Sequence, residues 1–463
     1  MILNPSIFKA YDVRAVYPKE VDPEGWINVV KGTYTYLLNT QKSKRLIVNV
    51  SHDMRDGSRE LYEVTIKELV KLGAEVNALG LASTPHSYFA LLHLHADAGM
   101  QITASHNPGG YTGMKCVGRD GDKVIKISGL ALKSSVLDGK YCPEVAGGKI
   151  NQLKATLDDE ARVTVDDFPP IKKTFKVVAD TANGMGVTYL KALSQIVPMQ
   201  ITYLYPELDG NFPNHLSDTC QHGYWDVLCE KVKSEGADFG IATDGDADRI
   251  AFIDENGRFL PNTLITCLIM DILHATEGAK LFHADIRSMF NVRNFAKTIG
   301  AEVKTTKVGH AFITADLQAS GASFGGESSG HFFFKKSGGA ENAMRVIMAV
   351  LTKMQETNKT ISKTLALYET AYEAVEHNYL LQEGSSKEKM FDALKSIFTD
   401  AQIDLLDGIS MSYPAWRTNI RVSNTEPLLR LNVEANTQAL LDEKFAYMQQ
   451  TLIKLGAQPK TGH

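Results

Sequence analysis

The chain has little cysteine, lacks a long apolar run and shows no concentrated charge of one sign. Its five cysteines are an odd number and form no CxxC pair, a pattern that fits reduced thiols and not a disulfide framework. The most apolar stretch, TLITCLIMDILHA, is short and is interrupted by Asp271, so it does not predict a membrane-spanning helix. The net charge of −5 and the scattered basic residues argue against a nucleic-acid or anionic-membrane surface.

The general composition is that of a globular protein. Hydrophobic residues make up 44% and charged residues 22%, and a length of 463 residues predicts three or four domains. The first residues, MILNPSIFKAYDVRA, lack the charged start and long apolar region of a signal peptide. Together with the expected reduced thiols, this predicts a cytoplasmic enzyme.

A strand-loop-helix pattern recurs three times. The runs RLIVNVSHDMRDG, FKVVADTANGMG and AKLFHADIRSMFN each precede a helical pattern, and each has a later companion: ADAGMQITASHNP, GADFGIATDGDADR and GASFGGESSGH. Short buried strands that alternate with helices predict parallel α/β units. We therefore predict an α/β protein with three similar mixed α/β domains and a smaller C-terminal α+β domain, over residues 1–150, 151–256, 257–370 and 371–463. Since ligands collect at the carboxyl ends of strands, the three companion loops are expected to face one central cleft.

The loop ATDGDADRIAFIDE carries Asp244, Asp246 and Asp248 at alternate positions. Three carboxylates this close repel one another unless a cation joins them, and hard oxygen ligands suit Mg²⁺ or Ca²⁺. An EF-hand is rejected because Arg249 stands where its loop needs glycine and because the flanks are strand-like. A solvated acidic turn is the simpler alternative, but the apolar strands on both sides favour a metal site.

The loop TASHNPGGYTGMK presents Ser105, with Lys115 close behind. Beside a divalent cation, this hydroxyl is suited to carry a phosphoryl group, with Arg249 adding positive charge and Lys115 moving a proton. That role is expected to need a lowered lysine pKa. A serine hydrolase pairing Ser105 with His106 is disfavoured because adjacent residues seldom direct their side chains at each other and because no G-x-S-x-G elbow is present. An ordinary capped turn is the structural alternative.

Five motifs in order resemble the α-D-phosphohexomutase superfamily: FKAYDVRA, TASHNPGGYTGMK, DGDADR, GGESSGH and RVSNTEPLLRLNVEA. The resemblance covers the whole chain. It implies four domains around a cleft, the last resembling a TATA-binding-protein-like fold, together with Mg²⁺ and an active-site phosphoserine. It also implies phosphate transfer between C1 and C6 of a hexose through a 1,6-bisphosphate.

The resemblance implies a role for each residue that matches these motifs. The implied metal ligands are Ser105, Asp244, Asp246 and Asp248. The implied catalytic residues are Ser105 as the phosphoserine, Lys115, Arg249, Arg14 and His310. The implied substrate-binding residues are Tyr11, Arg287, Glu327, Ser329, Arg421, Ser423, Asn424 and Thr425.

The last group includes a candidate phosphate anchor. Arg421 precedes two hydroxyls and an amide on a turn that ends at Pro427. A guanidinium beside such groups suits a dianionic phosphate, although this string by itself is more often an ordinary polar loop.

The expected substrate is a hexose phosphate, with glucose or mannose 1,6-bisphosphate as activator. FKAYDVRA and WRTNIRVSNTEPLLRLNVEA are most similar to bacterial phosphomannomutases, which favours mannose phosphate. Use of both sugars remains open because mannose and glucose differ only at C2. The rival hypotheses are a metal-dependent phosphatase with Asp244 as nucleophile and a catalytically silent sugar-phosphate binder.

Overall fold

The computed structural model describes residues 3–153, 156–219, 225–381, 386–422 and 428–460. The first part of the chain alternates strands and helices, with these bounds: β1 (Val13–Val16), α1 (Pro23–Gln41), β2 (Ile47–His52), α2 (Asp56–Lys71), β3 (Glu75–Leu81), α3 (Thr84–His93), β4 (Ala98–Ile102), β5 (Tyr111–Asp120), β6 (Lys123–Ile127), α4 (Gly129–Leu137), β7 (Lys149–Gln152) and α5 (Thr156–Asp166). The next part contains β8 (Phe175–Asp180), α6 (Gly186–Ser194), β9 (Met199–Leu204), α7 (Asp226–Glu235), β10 (Phe239–Thr243), β11 (Ile250–Ile253) and β12 (Phe259–Leu260).

The third repeat and the C-terminal part follow. The third repeat contains α8 (Asn262–Glu277), β13 (Leu281–Asp285), α9 (Phe290–Thr298), β14 (Glu302–Thr306), α10 (His310–Ser320), β15 (Phe324–Gly326), β16 (Phe332–Phe334), β17 (Ala340–Glu341), α11 (Ala343–Thr357) and α12 (Ile361–Leu365). The C-terminal part contains β18 (Tyr372–Glu373), β19 (His377–Leu381), α13 (Lys387–Ile397), β20 (Gln402–Asp404), β21 (Ile409–Ser412), β22 (Trp416–Val422), β23 (Leu428–Ala435), α14 (Gln438–Lys454) and β24 (Ala457–Pro459).

The chain divides into two compact units. The first unit takes Met1–Leu260 and Ser329–Thr364, and the second takes Pro261–Ser328 and Leu365–His463. Within the part of the chain that the structure describes, no helix is both long enough and apolar enough to cross a bilayer.

The first unit contains two mixed sheets. One has the order β1-β5-β4-β2-β3-β7, with β6 added beside β5, and the other has the order β12-β11-β10-β8-β9. In the first sheet β2 is parallel to β3 and β4, and in the second β8 is parallel to β9 and β10. Helix α1 begins where Asp22 accepts a hydrogen bond from the backbone of Gly25. Its inner face buries Trp26 and Val29 in the core of the first sheet.

The second unit contains three parallel strands of a mixed sheet, whose order is β14-β13-β15-β16-β17, and an antiparallel sheet. Strand β13 lies between β14 and β15, parallel to both. The C-terminal strands follow the order β20-β21-β22-β23-β19-β24, with β18 beside β23. These strands pair antiparallel and share an apolar core with α13 and α14. The predicted fold class, three mixed α/β domains and a C-terminal α+β domain, is confirmed. The predicted domain borders and the central cleft stay predictions.

Candidate active site

Two polar loops follow neighbouring parallel strands in the first unit. Strands β2 and β4 end in register, with His52 opposite Ile102. Asp53 and Thr103 come next, and the Thr103 hydroxyl donates to the Asp53 carboxylate over 2.6 Å. The carboxyl ends of parallel strands therefore bring chemically active side chains to one edge of the sheet, as the sequence predicts.

Ser105 lies on the second of these loops in a fixed conformation. It is 3% exposed and has a left-handed backbone with φ of 55°, and its N–H donates to the Thr103 hydroxyl over 3.0 Å. The buried guanidinium of Arg55 donates to the carbonyl oxygens of Ser105 and Asn107, each over 2.6 Å. A buried cation that binds several loop carbonyls holds the serine in place before any ligand arrives.

The three aspartates lie together on the turn between β10 and β11. Their carboxylate oxygens lie within 4.8 Å of one another, and all three residues are at most 3% exposed. Among the described residues, Asp244 Oδ2 and Asp246 Oδ1 are buried without a hydrogen-bond partner. Burial and the neighbouring Asp248 and Asp246 carboxylates raise the pKa of Asp244 well above its ordinary value. Unsatisfied hard oxygen atoms that repel one another fit a divalent cation such as Mg²⁺.

The serine loop packs directly against the aspartate turn. A Cβ atom at Gly245 would lie 2.7 Å from the carbonyl oxygen of Ser105, which is closer than such atoms pack. Lys115 Nζ, on β5, donates to Asp246 Oδ2 over 2.6 Å and to Asp248 Oδ2 over 2.5 Å. Thr84, the first residue of α3, donates its hydroxyl to Asp246 over 2.6 Å. The predicted serine, lysine and three aspartates are therefore brought together within one unit.

The electrostatic expectation for Lys115 is wrong in this arrangement. Its ammonium donates to two carboxylates, those of Asp246 and Asp248. Burial opposes the charge, but Asp246 and Asp248 raise the pKa of Lys115 well above its ordinary value. Lys115 is therefore protonated beside the aspartate turn.

Arg249 and His331 extend the site. Arg249 Nη1 donates to Asp218 over 2.8 Å, and its Nε lies 3.7 Å from Asp244 Oδ2. His331 Nε2 lies 3.1 Å from Asp248 Oδ1. Burial opposes the charge on Asp248, but contact with Lys115 and His331 holds its pKa well below the ordinary range. The Asp248 carboxylate is therefore stabilised in its ionised form. The charge on Asp244 is unfavourable unless a cation binds beside it.

The argument against a Ser105–His106 contact is also wrong. The Ser105 hydroxyl lies 3.2 Å from Nδ1 of His106, because the left-handed backbone at Ser105 turns the two side chains together. Burial, with Arg249 and Arg14 nearby, lowers the pKa of His106 well below its ordinary value. A neutral imidazole therefore lies beside the serine hydroxyl.

The remaining predicted residues of the first unit lie around this centre. Arg14, on β1, donates to the Asn107 side chain of the serine loop over 2.5 Å and pairs with Asp12 over 2.9 Å. Tyr11 lies half-buried just before β1. Ser329 is buried, and its hydroxyl lies 3.1 Å from Nδ1 of His331.

In the second unit, the ends of parallel strands again carry the predicted residues. Arg287 follows β13 and donates to both Asp285 oxygens over 2.9 and 3.1 Å. Glu327 follows β15, and its Oε1 lies 3.5 Å from Arg287 and accepts from the Gly309 N–H over 2.9 Å. His310 is the first residue of α10, directly after Gly309.

Arg421 lies near the end of β22 and is 2% exposed. Its Nη2 lies 3.2 Å from Glu376 Oε2. Ser423, Asn424 and Thr425 lie outside the residues that the structure describes.

The sequence analysis did not select several residues that contact the candidate site residues. Asp53 and Arg55 stand in SHDMRDG, directly after a strand of the repeat, so the strand-end argument that selected Ser105 applies to them as well. His331 closes GGESSGH, where only Glu327 and Ser329 were selected. Thr84 and Glu376 carry no motif, and their roles depend on partners distant in sequence.

Four families match in order: the phosphoglucomutase/phosphomannomutase alpha/beta/alpha domains I, II and III, and the phosphoglucomutase/phosphomannomutase C-terminal domain. The matched residues are 5–136, 161–257, 261–371 and 381–448.

Individual relatives are similar to this chain over nearly its whole length. The phosphomannomutase of Vibrio cholerae is 32% identical over 97% of this chain and 98% of its own length. The phosphomannomutase/phosphoglucomutase of Pseudomonas syringae is 30% identical over 95% of this chain and 94% of its own. A crystal structure of a phosphoglucomutase/phosphomannomutase family protein from Burkholderia thailandensis superimposes with a TM-score of 0.87 at 26% identity, covering 99% of this chain and 100% of that one.

The chain belongs to the phosphoglucomutase/phosphomannomutase family. It is an enzyme of the isomerase class, a hexose phosphate mutase.

Proposed function

We propose that this enzyme moves a phosphoryl group between the C1 and C6 hydroxyls of a hexose, with mannose phosphate preferred, by way of a phosphoserine at Ser105. The observation that carries the proposal is the packing of the Ser105 loop against the Asp244–Asp248 turn, with Lys115 on two of the three carboxylates. Phosphoryl transfer depends on positioning and on neutralising charge, and this arrangement supplies both.

The proposed half-reaction uses groups of the first unit. A substrate hydroxyl attacks the phosphorus of phosphoserine 105, a bond forms to the hydroxyl oxygen, and the bond to Oγ breaks. Lys115 gives a proton to Oγ as it leaves and recovers one from the attacking hydroxyl. Arg249 and Arg14 add positive charge around the transferring group. The second half-reaction runs in reverse with the other phosphate of the 1,6-bisphosphate, so Ser105 regains its phosphoryl group.

The residues that would hold Mg²⁺ are Asp244, Asp246 and Asp248, with the oxygen on Ser105. When bound, Mg²⁺ supplies positive charge to the phosphoryl oxygens. Asp244 Oδ2 and Asp246 Oδ1, which are buried without a hydrogen-bond partner among the described residues, support this assignment.

The non-reacting phosphate is assigned to Arg421 with Ser423, Asn424 and Thr425. The sugar hydroxyls are assigned to Tyr11, Arg287, Glu327 and Ser329, and His310 is assigned to proton transfer. Because the bisphosphate must turn over between half-reactions, the anchor receives each of its two phosphates in turn. Glucose or mannose 1,6-bisphosphate is the proposed activator.

The substrate preference is tested by comparing mannose 1-phosphate with glucose 1-phosphate under one set of conditions, with Mg²⁺ and a 1,6-bisphosphate. We expect a higher kcat/KM for mannose 1-phosphate, by less than about 100-fold, because a single C2 hydroxyl orientation gives weak discrimination. Equal values would replace the mannose preference by dual specificity, the alternative that the name of the Pseudomonas relative favours. Release of inorganic phosphate in place of a 6-phosphate product would contradict mutase activity.

A further inference from the structure

A carboxylate lies at the candidate phosphate anchor of the second unit. Glu376 is the residue directly before β19, in the short link after β18. The link is held by the Ala374 N–H, which donates to the Val433 carbonyl over 2.8 Å. Strand β19 pairs with β23, so the backbone on both sides of Glu376 is fixed by the same neighbouring strand.

The Glu376 carboxylate joins three side chains of the C-terminal sheet. Its Oε2 lies 3.2 Å from Arg421 Nη2 and 3.1 Å from Asn432 Nδ2, and its Oε1 lies 3.0 Å from Arg430 Nη1. Arg430 and Asn432 are on β23, and Arg421 is on β22. The carboxylate therefore ties the candidate anchor arginine to the adjacent strand.

The Glu376 carboxylate offsets the repulsion between two arginines of the sheet. Arg421 and Arg430 are directly opposite each other on β22 and β23, and like charges at opposed positions destabilise a sheet. Arg421 is 2% exposed, so water does little to screen its charge. Two guanidinium groups held together around one carboxylate form an arrangement with net positive charge, which suits a dianionic ligand.

Glu376 leaves part of the donor set of Arg421 unused. The guanidinium has five N–H donors in a rigid planar fork, and Glu376 takes one from Nη2. The Nε of Arg421 is buried and has no hydrogen-bond partner among the described residues. A polar N–H in this condition is costly unless a ligand satisfies it.

The strand that carries Arg421 is fixed against the loop that carries Arg287. Arg417, on β22, donates to the Ile286 carbonyl over 2.6 Å and pairs with Glu434 over 3.1 Å. Glu434 in turn accepts from the Met289 N–H over 2.9 Å. With β22 held in this way, Glu376 needs only to fix the side chain of Arg421.

We infer that Glu376 is a positioning residue for substrate binding: held by Arg430 and Asn432, it orients Arg421 so that the remaining donors of the guanidinium receive the non-reacting phosphate. The inference rests on the proposed role of Arg421. Glu376 acts through Arg421 and makes no contact with the reacting atoms.

The first test is the steady-state kinetics of Glu376→Ala and Glu376→Gln in the full-length enzyme. Glu376→Ala should raise the KM for hexose phosphate about tenfold, on the scale of one lost charge-assisted contact. Its kcat should stay within about twofold, because the non-reacting phosphate is bound alike in the ground and transition states. Glu376→Gln should raise KM less, since its amide oxygen still accepts a hydrogen bond.

The matched control is Glu443→Gln, which removes an exposed carboxylate paired with Lys444 on α14 and should leave KM unchanged.

The second test is a double-mutant cycle with Arg421→Ala. If Glu376 acts through Arg421, Glu376→Ala should add nothing to the KM of Arg421→Ala. A persistent tenfold effect in that background would overturn the inference. An unchanged or lower KM in Glu376→Ala would overturn the inference as well. A lower thermal midpoint and a lower kcat with KM unaltered would also overturn it, because they would indicate a purely structural role. Failure of the proposed anchor itself is recognised separately, because Arg421→Ala alone would then leave KM unchanged.

Discussion

Ser105→Ala is expected to lower mutase turnover by more than about 1,000-fold, the scale seen when a covalent nucleophile is removed. The physical reason is that, in the proposed mechanism, this hydroxyl lends and regains the phosphoryl group. The fold should persist, since the contacts that fix this loop are made by the backbone N–H and carbonyl of residue 105. The measurement is turnover with saturating bisphosphate, together with the thermal unfolding midpoint.

A control comes from a second buried serine beside the same turn. Ser217 is 1% exposed, and its Oγ would lie 2.8 Å from a Cβ at Gly245. Ser217→Ala removes a hydroxyl of equal burial next to the aspartate turn and should retain most of the turnover. Near-normal turnover in Ser105→Ala would remove the phosphoserine from the mechanism.

The second large effect concerns the divalent cation. Treatment with a chelator should lower turnover by more than about 100-fold, because each lost electrostatic stabiliser of a transition state costs on the order of 100- to 1,000-fold. Addition of Mg²⁺ should restore turnover. Mg²⁺ should also raise the unfolding midpoint, since a ligand that binds only the native state stabilises it and the three buried carboxylates repel one another without it.

The variant Asp244→Asn distinguishes binding of Mg²⁺ at the aspartate turn from a general effect of added salt. The substitution removes one carboxylate whose Oδ2 is buried without a hydrogen-bond partner among the described residues. The variant should lose both the activation by Mg²⁺ and the Mg²⁺-dependent rise in unfolding midpoint. Full activity of the parent enzyme after exhaustive chelation would contradict the metal assignment.

The sequence contains enough information to predict the strands and loops that carry the site. Three runs with the same strand-loop-helix pattern predict parallel α/β units, and the loops of their three companion runs contain Ser105, Asp244 and Glu327. Alternate aspartates flanked by apolar strands predict a metal site from local sequence alone. These features are predictable because their cause lies within about ten residues of chain.

The electrostatics of the site are less predictable because their causes lie far along the chain. Lys115 pairs with Asp246, which is 131 residues away, so the direction of its pKa shift depends on tertiary packing. The Ser105–His106 contact depends on a left-handed backbone at a non-glycine residue, which sequence alone does not predict. Glu376 stands in an unremarkable stretch, and its contacts with Arg421 and Arg430 arise only when three strands assemble.

The most direct test of the central claim is intact-mass measurement of the purified enzyme, followed by peptide mapping of any phosphate. We predict a single phosphate, stable in acid, on Ser105, which transfers to the sugar when hexose 1-phosphate is added. An acid-labile phosphate on Asp244, with residue 105 unmodified before and during turnover, would contradict it and would favour a phosphatase-type aspartate nucleophile.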